Sequence, residues 1–296
     1  MNIIDFHHHP FDEPDYVPAL IDRMDALGID QVCLSGLGRM GLMQDDDDVL
    51  RAMRAYPRRV IGFVFVRPGF DTAKKIERYH ALGFRGVKVT CPALPYDAKE
   101  YYPLWETACA LDMPVLFHTG VVTMPGAGPA DDISSVRMQP LLLEPIARAF
   151  PELKLVMAHC GISFTMDISD VIRLVPNIYC DLSGSAAPTG WRRRITPEKF
   201  KKFFWWDGAL EKILFGTDVH WRDLGAVLGM DRTLYADLGL TDAESAKIFA
   251  GTAATLLGIA PNDLGQARRA SPRTRSRLHP DARFGVSTTK HAKAAK

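Results

Sequence analysis

Short apolar runs alternate along this chain with longer stretches whose apolar residues recur every three or four positions. The short runs read as buried strands and the longer stretches as amphipathic helices. Strands are predicted at Ile3–Phe6, leading into His7-His8-His9, and then at Gln31–Leu37, Val60–Val66, Gly86–Thr90, Pro114–His118, Leu153–His159, Asn177–Leu182 and Lys212–Thr217. Helices are predicted between them at Tyr16–Leu27, Asp46–Tyr56, Thr72–Leu82, Lys99–Leu111, Gln139–Phe150, Phe164–Leu174 and Pro197–Trp205, with a last helical region over Asp223–Leu257. Continuous apolar strands are the mark of a parallel sheet covered by helices. Eight such units within roughly 250 residues predict an α/β fold, a (β/α)8 TIM barrel in a single domain. A doubly wound open sheet is the alternative, but only a closed ring joins the ends of the first and last strands.

Polar residues stand at the carboxyl ends of several of these strands. His7 and His9 lie two apart, so on a strand they share a face while His8 takes the opposite one. His118 closes Pro114–His118, His159 closes Leu153–His159, and Asp218 follows Lys212–Thr217. One histidine at a strand end is ordinarily a hydrogen-bonded structural group. Five such groups at one end of a barrel predict a divalent-metal site at its catalytic face. Imidazoles with a carboxylate suit zinc first, with manganese or iron as alternatives. Asp5, deeper on the His7 face, is expected to orient a ligand as an acceptor. His220, two residues past Asp218, is a candidate substrate contact.

Composition adds a boundary. Residues 262–296 carry nine Lys/Arg against two Asp/Glu, a formal +7 in a chain whose net charge is +1. That basic tail lacks helical periodicity, so residues 1–260 are assigned to the barrel and 261–296 to a disordered tail. Solvation is the expected fate of the tail, and no nucleic-acid partner is expected beyond a contact it could make. No apolar stretch is long enough to span a membrane. The absence of a basic-then-apolar leader predicts a cytoplasmic protein. The five cysteines, without a Cys-x-x-Cys pair, read as reduced structural thiols. The segment Met124–Asp132 reads as a loop over the catalytic face. Four late tryptophans (Trp191, Trp205, Trp206 and Trp221) read as core residues, with a homo-oligomer contact as the alternative.

The segments Asp5-Phe6-His7-His8-His9, Phe117-His118-Thr119-Gly120, Met157-Ala158-His159-Cys160-Gly161, Asn177 through Gly184, and Leu214-Phe215-Gly216-Thr217-Asp218 resemble, in order, the amidohydrolase superfamily of metal-dependent barrels. The likeness spans nearly all of residues 1–260 and is greatest to the amidohydrolase-2 branch, the aminocarboxymuconate-semialdehyde decarboxylase-like members. It implies a metal held by His7, His9, His118 and Asp218, with His159 as the acid/base or substrate-polarising residue beside it and Asp218 sharing the catalytic work. Two departures stand out: Thr217-Asp218-Val219-His220 replaces the frequent Ser-Asp-x-Pro, and Gly251-Thr252-Ala253-Ala254 lacks the frequent Asn-Ala pair. Binuclear relatives bridge two metals with a carbamylated lysine from the fourth strand. Lys88 takes that place here, and an unmodified cation serving the substrate is the preferred role.

These readings lead to a metal-dependent hydrolase that uses activated water on an amide, ester or lactone bond of a small, carboxylated molecule. The alternative is a non-oxidative decarboxylase of a small aromatic or unsaturated acid, and a non-catalytic metal-containing sensor stands third. A carboxylate-bearing substrate calls for an arginine fork. Arg67, directly after the third strand, is the candidate, while Arg39, Arg137 and Arg192-Arg193-Arg194 are expected to be solvated.

Overall fold

The computed structural model describes residues 1–38, 40, 42–122, 132–162, 165–185, 187–188, 190–260 and 263–264. Arg39, nearly all of the Met124–Asp132 loop and all of the basic tail except residues 263–264 lie outside them. Among the described residues, eight parallel strands pair in chain order: β1 (Ile4–His8), β2 (Gln31–Ser35), β3 (Val60–Val66), β4 (Gly86–Val89), β5 (Val115–Phe117), β6 (Leu155–Met157), β7 (Ile178–Asp181) and β8 (Ile213–Leu214). The helices that cover them are α1 (Tyr16–Leu27), α2 (Asp46–Ala55), α3 (Ala73–Ala81), α4 (Tyr102–Ala110), α5 (Leu143–Ala149), α6 (Met166–Leu174), α7 (Pro197–Phe203), α8 (Leu224–Asp237), α9 (Asp242–Ala246) and α10 (Thr252–Leu257).

The seam between β8 and β1 is bridged by backbone hydrogen bonds. Phe6 N–H donates to Phe215 O at 2.9 Å, and Asp218 N–H donates to His7 O at 2.8 Å. The sheet is therefore a nearly closed (β/α)8 barrel, the fold expected from the alternating pattern. Two apolar layers hold it. Ile4, Phe6, Cys33, Phe63, Leu116, Val156 and Leu214 fill the interior, and Ala253, Leu256 and Leu257 of α10 pack against the same cluster. The opposite strand faces, including Val32, Val64, Val87, Val115, Leu155 and Ile178, pack against the helices.

Local chemistry explains the helix ends. Asp45 caps α2 with a reciprocal Asp48 contact, and three aspartates occupy its first turn, where the helix dipole favours negative charge. The single helical region predicted over Asp223–Leu257 is broken in the structure. Gly239 turns left-handed at φ 75°, Thr241 starts α9 with a capping box, and a π-type turn at Lys247–Gly251 precedes α10. The capping signal Thr241-x-x-Glu244 was present in the sequence and marks the new start. No helix among the described residues is long and apolar enough to cross a membrane.

Arg192 is buried rather than solvated, which corrects its sequence reading. Its guanidinium pairs with Asp231 of α8 and donates to Gly216 O at 2.7 Å, tying the chain after β7 to α8 and to the residue after Phe215. Removing one partner of a buried pair strands the other charge. Arg192→Met is expected to destabilise the fold by ~3–5 kcal/mol in urea unfolding, and adding Asp231→Leu to recover most of that loss. A single variant as stable as the parent would contradict the latch.

Candidate active site and metal centre

Parity along β1 is interrupted. Ile4 and Phe6 face the barrel interior, and the pairing register with β2 shifts between Asp5 and His8. A bulge re-aims the residues that follow it. His7 and His9 consequently turn to one another, their Nε2 atoms 3.2 Å apart, while His8 points elsewhere and contacts Thr217 Oγ1 and Tyr16 OH. The same shift separates Asp5 from His7. Its carboxylate accepts from Thr217 N–H at 2.9 Å and Thr217 Oγ1–H at 2.6 Å, and from the His7 backbone N–H rather than its ring. Asp5 thus anchors the residue before Asp218 and faces the His8 ring at 3.4 Å rather than the His7 ring, contrary to its sequence reading.

The other strand ends converge on His7 and His9. Asp218 Oδ1 lies 3.8 Å from His7 Nε2 and 3.6 Å from His9 Nε2, and Asp218 Oδ2 lies 3.6 Å from His159 Nε2. Lys88 of β4 is buried and brings Nζ to 3.0 Å from His7 Nε2. His118 joins through His159, with its Nδ1 3.3 Å from His159 Nε2. His159 and Asp218 both adopt left-handed backbone conformations, at φ 60° and 50°. That region costs a residue with a side chain about 1 kcal/mol or more, and such strain collects at functional sites.

The two expected substrate contacts, His220 and Arg67, have protein partners of their own. His220 faces Glu13 at 3.2 Å, accepts from Arg222 N–H, and packs among Phe11, Tyr16 and Trp221. Arg67 donates from Nε to Cys91 O at 2.9 Å with its guanidinium over the Phe70 ring.

The histidine and acidic residues that could hold an ion form two groups among the described residues: His7, His9 and Asp218, and His7, His159 and Asp181. The first fits a divalent cation on hydrogen-bond grounds. His9 Nδ1 stands 2.9 Å from the Ser35 carbonyl, which can only accept, and His7 Nδ1 stands 2.9 Å from the Asp181 carboxylate. Each Nδ1 therefore carries the proton, and each Nε2 keeps a lone pair. Two lone pairs facing at 3.2 Å, with a carboxylate beside them, are a donor set that could hold a cation. His118 Nε2 adds a further donor, being buried without a hydrogen-bond partner among the described residues. A buried polar atom left unpaired calls for such an explanation.

Charge around the centre is uneven. Burial pushes the His9, His118 and His159 imidazoles below the ordinary histidine value. Burial likewise lowers the Lys88 ammonium to about 8, opposed by Asp218 and Asp181. For Asp218, burial alone would raise the carboxyl, but His7, His159, His9 and Lys88 together hold it below the usual range. Burial is likewise overridden at Asp181 by His7, His159 and Ser183.

Asp181 and Ser183 lie in the family-like segment Asn177–Gly184 but were given no role from the sequence, although a signal was there. Asp181 ends the apolar run of β7 just as Asp218 follows that of β8. Gly216 shows how closely β8 approaches this cluster. A Cβ there would stand 2.9 Å from His7 Cβ and 3.3 Å from Asp181 Oδ2. Gly216→Ala is expected to leave the circular dichroism unchanged while weakening divalent-metal binding about 10–100-fold in a calorimetric titration. Unaltered affinity would show that this approach is dispensable.

A (β/α)8 barrel whose carboxylate and imidazoles gather at the carboxyl ends of its strands defines the class: a barrel built for metal-dependent chemistry. The profile of the Amidohydrolase family matches residues 4–259, and the chain belongs to that family, the amidohydrolase-2 type of metal-dependent enzyme. A search of curated proteins finds no match. Solved structures share the fold. A probable 2-pyrone-4,6-dicarboxylic acid hydrolase from Acinetobacter baumannii is 16% identical with TM-score 0.61, over 87% of this chain and 100% of that one. A 5-carboxyvanillate decarboxylase from Novosphingobium aromaticivorans, complexed with manganese, is 18% identical with TM-score 0.58, over 80% of this chain and 79% of that one. A 4-oxalomesaconate hydratase from Rhodopseudomonas palustris is 17% identical with TM-score 0.58, over 87% and 96%.

Proposed function

We propose that the chain is a metal-dependent hydrolase acting on an amide, ester or lactone bond of a small, carboxylated molecule. One observation carries the reading: the Asp218 carboxylate and the His159 imidazole stand 3.6 Å apart, the carboxyl held below its usual range by the neighbouring imidazoles and Lys88 and the imidazole lowered by burial, so both are disposed to accept a proton. A centre rich in bases suits the removal of a proton from water. His7, His9, His118 and Asp218 would hold the cation, zinc by their donor set, with manganese as the alternative suggested by the bacterial decarboxylase. When bound, a divalent cation supplies Lewis-acid charge that polarises an oxygen and acidifies water toward about pH 7.

The protein's own groups then manage the protons. Asp218, 28% exposed, meets the incoming water. The water oxygen bonds to the carbonyl carbon, whose π pair moves onto the carbonyl oxygen. The water proton passes to Asp218 or His159. Collapse breaks the bond from carbon to the leaving nitrogen or oxygen, and that atom receives the proton. Lys88 places a positive charge beside the developing oxyanion. Arg67 is the proposed contact for the substrate carboxylate at the rim.

Non-oxidative decarboxylation is the second reading, favoured by the likeness to 5-carboxyvanillate decarboxylase. It needs a proton delivered to carbon as carbon dioxide leaves, whereas the two groups at the centre are disposed to accept one. Turnover of lactones, esters, amides and aromatic carboxylates in ¹⁸O-water separates the readings. Hydrolysis places one solvent oxygen in the organic product. Carbon dioxide release with an unlabelled organic product selects the decarboxylase, and metal binding without turnover of any of these selects the sensor.

A further inference from the structure

We infer that Asp181 and Ser183 are positioning residues that lock His159 and His118 in a single tautomeric order, so that the unprotonated Nε2 of each faces the centre. The inference rests on the metal-centre reading above only for its consequence in catalysis. The tautomers themselves follow from hydrogen-bond bookkeeping on this chain.

Asp181 is the fixed end of the chain of bonds. Buried on β7, its Oδ1 accepts from the backbone N–H of His159 at 2.8 Å and of Ser183 at 2.9 Å. Ser183 Oγ lies 2.5 Å from the same oxygen. A carboxylate is the strongest acceptor within reach of that hydroxyl, so the single Ser183 proton goes to Asp181. The Ser183 oxygen is left with lone pairs only, and it faces His7 Nδ1 and His159 Nδ1, each at 2.9 Å. His159 Nδ1 meets one further group, the Ser183 carbonyl at 3.2 Å, which also can only accept. Both neighbours of His159 Nδ1 are therefore acceptors, and that nitrogen must carry the ring proton.

The order then propagates. With its proton on Nδ1, neutral His159 presents a lone pair at Nε2, and this atom faces His118 Nδ1 at 3.3 Å. A hydrogen bond there requires the His118 proton on Nδ1. His118 Nε2 is then the bare nitrogen, the one that is buried with no hydrogen-bond partner among the described residues. A relay that starts at one carboxylate thus ends in a lone pair with no hydrogen-bond partner among the described residues, free to bind a cation. Trp191 holds the Ser183 carbonyl in place through Nε1–H at 2.8 Å. Asp181 Oδ2 meanwhile receives the Nδ1 proton of His7. One Asp181–Ser183 unit therefore sets three imidazoles, two expected to bind the cation and one expected to move protons. Neutral His159 enters the reaction as a base and donates only after it has taken up a proton.

Long-range ¹H–¹⁵N correlation of the ¹⁵N-histidine-labelled, zinc-loaded protein reads the tautomers directly, with His159→Gln and His118→Gln spectra used for assignment. The expected result is the Nδ1–H form for both residues, and a predominant Nε2–H form of His159 in the parent protein would overturn the inference. Ser183→Ala keeps the carbonyl but removes the hydroxyl. It is expected to mix the His159 tautomers and lower kcat about 10–100-fold with little change in KM, and Ser183→Thr to restore both. An unchanged His159 spectrum and kcat in Ser183→Ala would also overturn it. Because the spectra need no substrate, the correct tautomers in a protein that hydrolyses nothing would refute the hydrolase reading and leave this inference standing.

Discussion

His118→Ala is expected to lose both the bound cation and turnover, with metal affinity and kcat each falling by more than about 100-fold. The residue directly follows β5, and Tyr96 fixes its backbone by donating a hydrogen bond to His118 O at 3.0 Å. Its Nε2 is the buried donor with no protein partner among the described residues. Truncation removes that donor while leaving the strand and the Tyr96 contact in place. Metal analysis after dialysis, beside a thermal melt, checks the prediction. A variant that melts like the parent, holds its metal and turns over normally would remove His118 from the centre.

His159→Ala is expected to have the opposite signature in its metal content. The ring lies 3.6 Å from Asp218 Oδ2, and it groups with His7 and Asp181 rather than with His7, His9 and Asp218; His118 stands in neither group and is set apart by its Nε2, which has no hydrogen-bond partner among the described residues. The cation should be retained at about one per chain, as in a catalytic site with an open position. Turnover should fall about 10²–10⁴-fold, the usual worth of a positioned acid or base. Equal metal loss in His159→Ala and His118→Ala would reassign His159 to the ligands. The contrast between the two variants matters more than either magnitude, because both remove an imidazole of the same size from the same centre.

The barrel was legible because its strands are continuous apolar runs with helical patterns between them. All eight runs became strands, and those predicted at Val60–Val66 and Gly86–Thr90 needed little or no trimming. The strand ends were less legible. Pro114–His118 and Leu153–His159 shrink to three residues each, since the polar ends leave the ladder to reach the centre. His7, His9, His118, His159 and Asp218 could be found because each ends an apolar run, and they do gather at one place. Roles that depend on local backbone could not be read. Strict alternation placed Asp5 on the His7 face, and the bulge in β1 moved it to the Thr217 side. Arg192 reads as part of a solvated basic run, and only the packing of α8 against it reveals the Asp231 pair. Ser183 falls in the family-like segment Asn177–Gly184, but nothing there shows its role, which is a matter of one hydroxyl proton and three neighbours.

Anomalous diffraction from crystals of the metal-loaded protein, collected at the absorption edge of the bound ion, tests the convergence most directly. One peak per chain is expected among His7 Nε2, His9 Nε2, His118 Nε2 and Asp218. A peak among His7, His159 and Asp181 instead, or no peak in protein shown to bind metal in solution, would contradict the assignment of the centre.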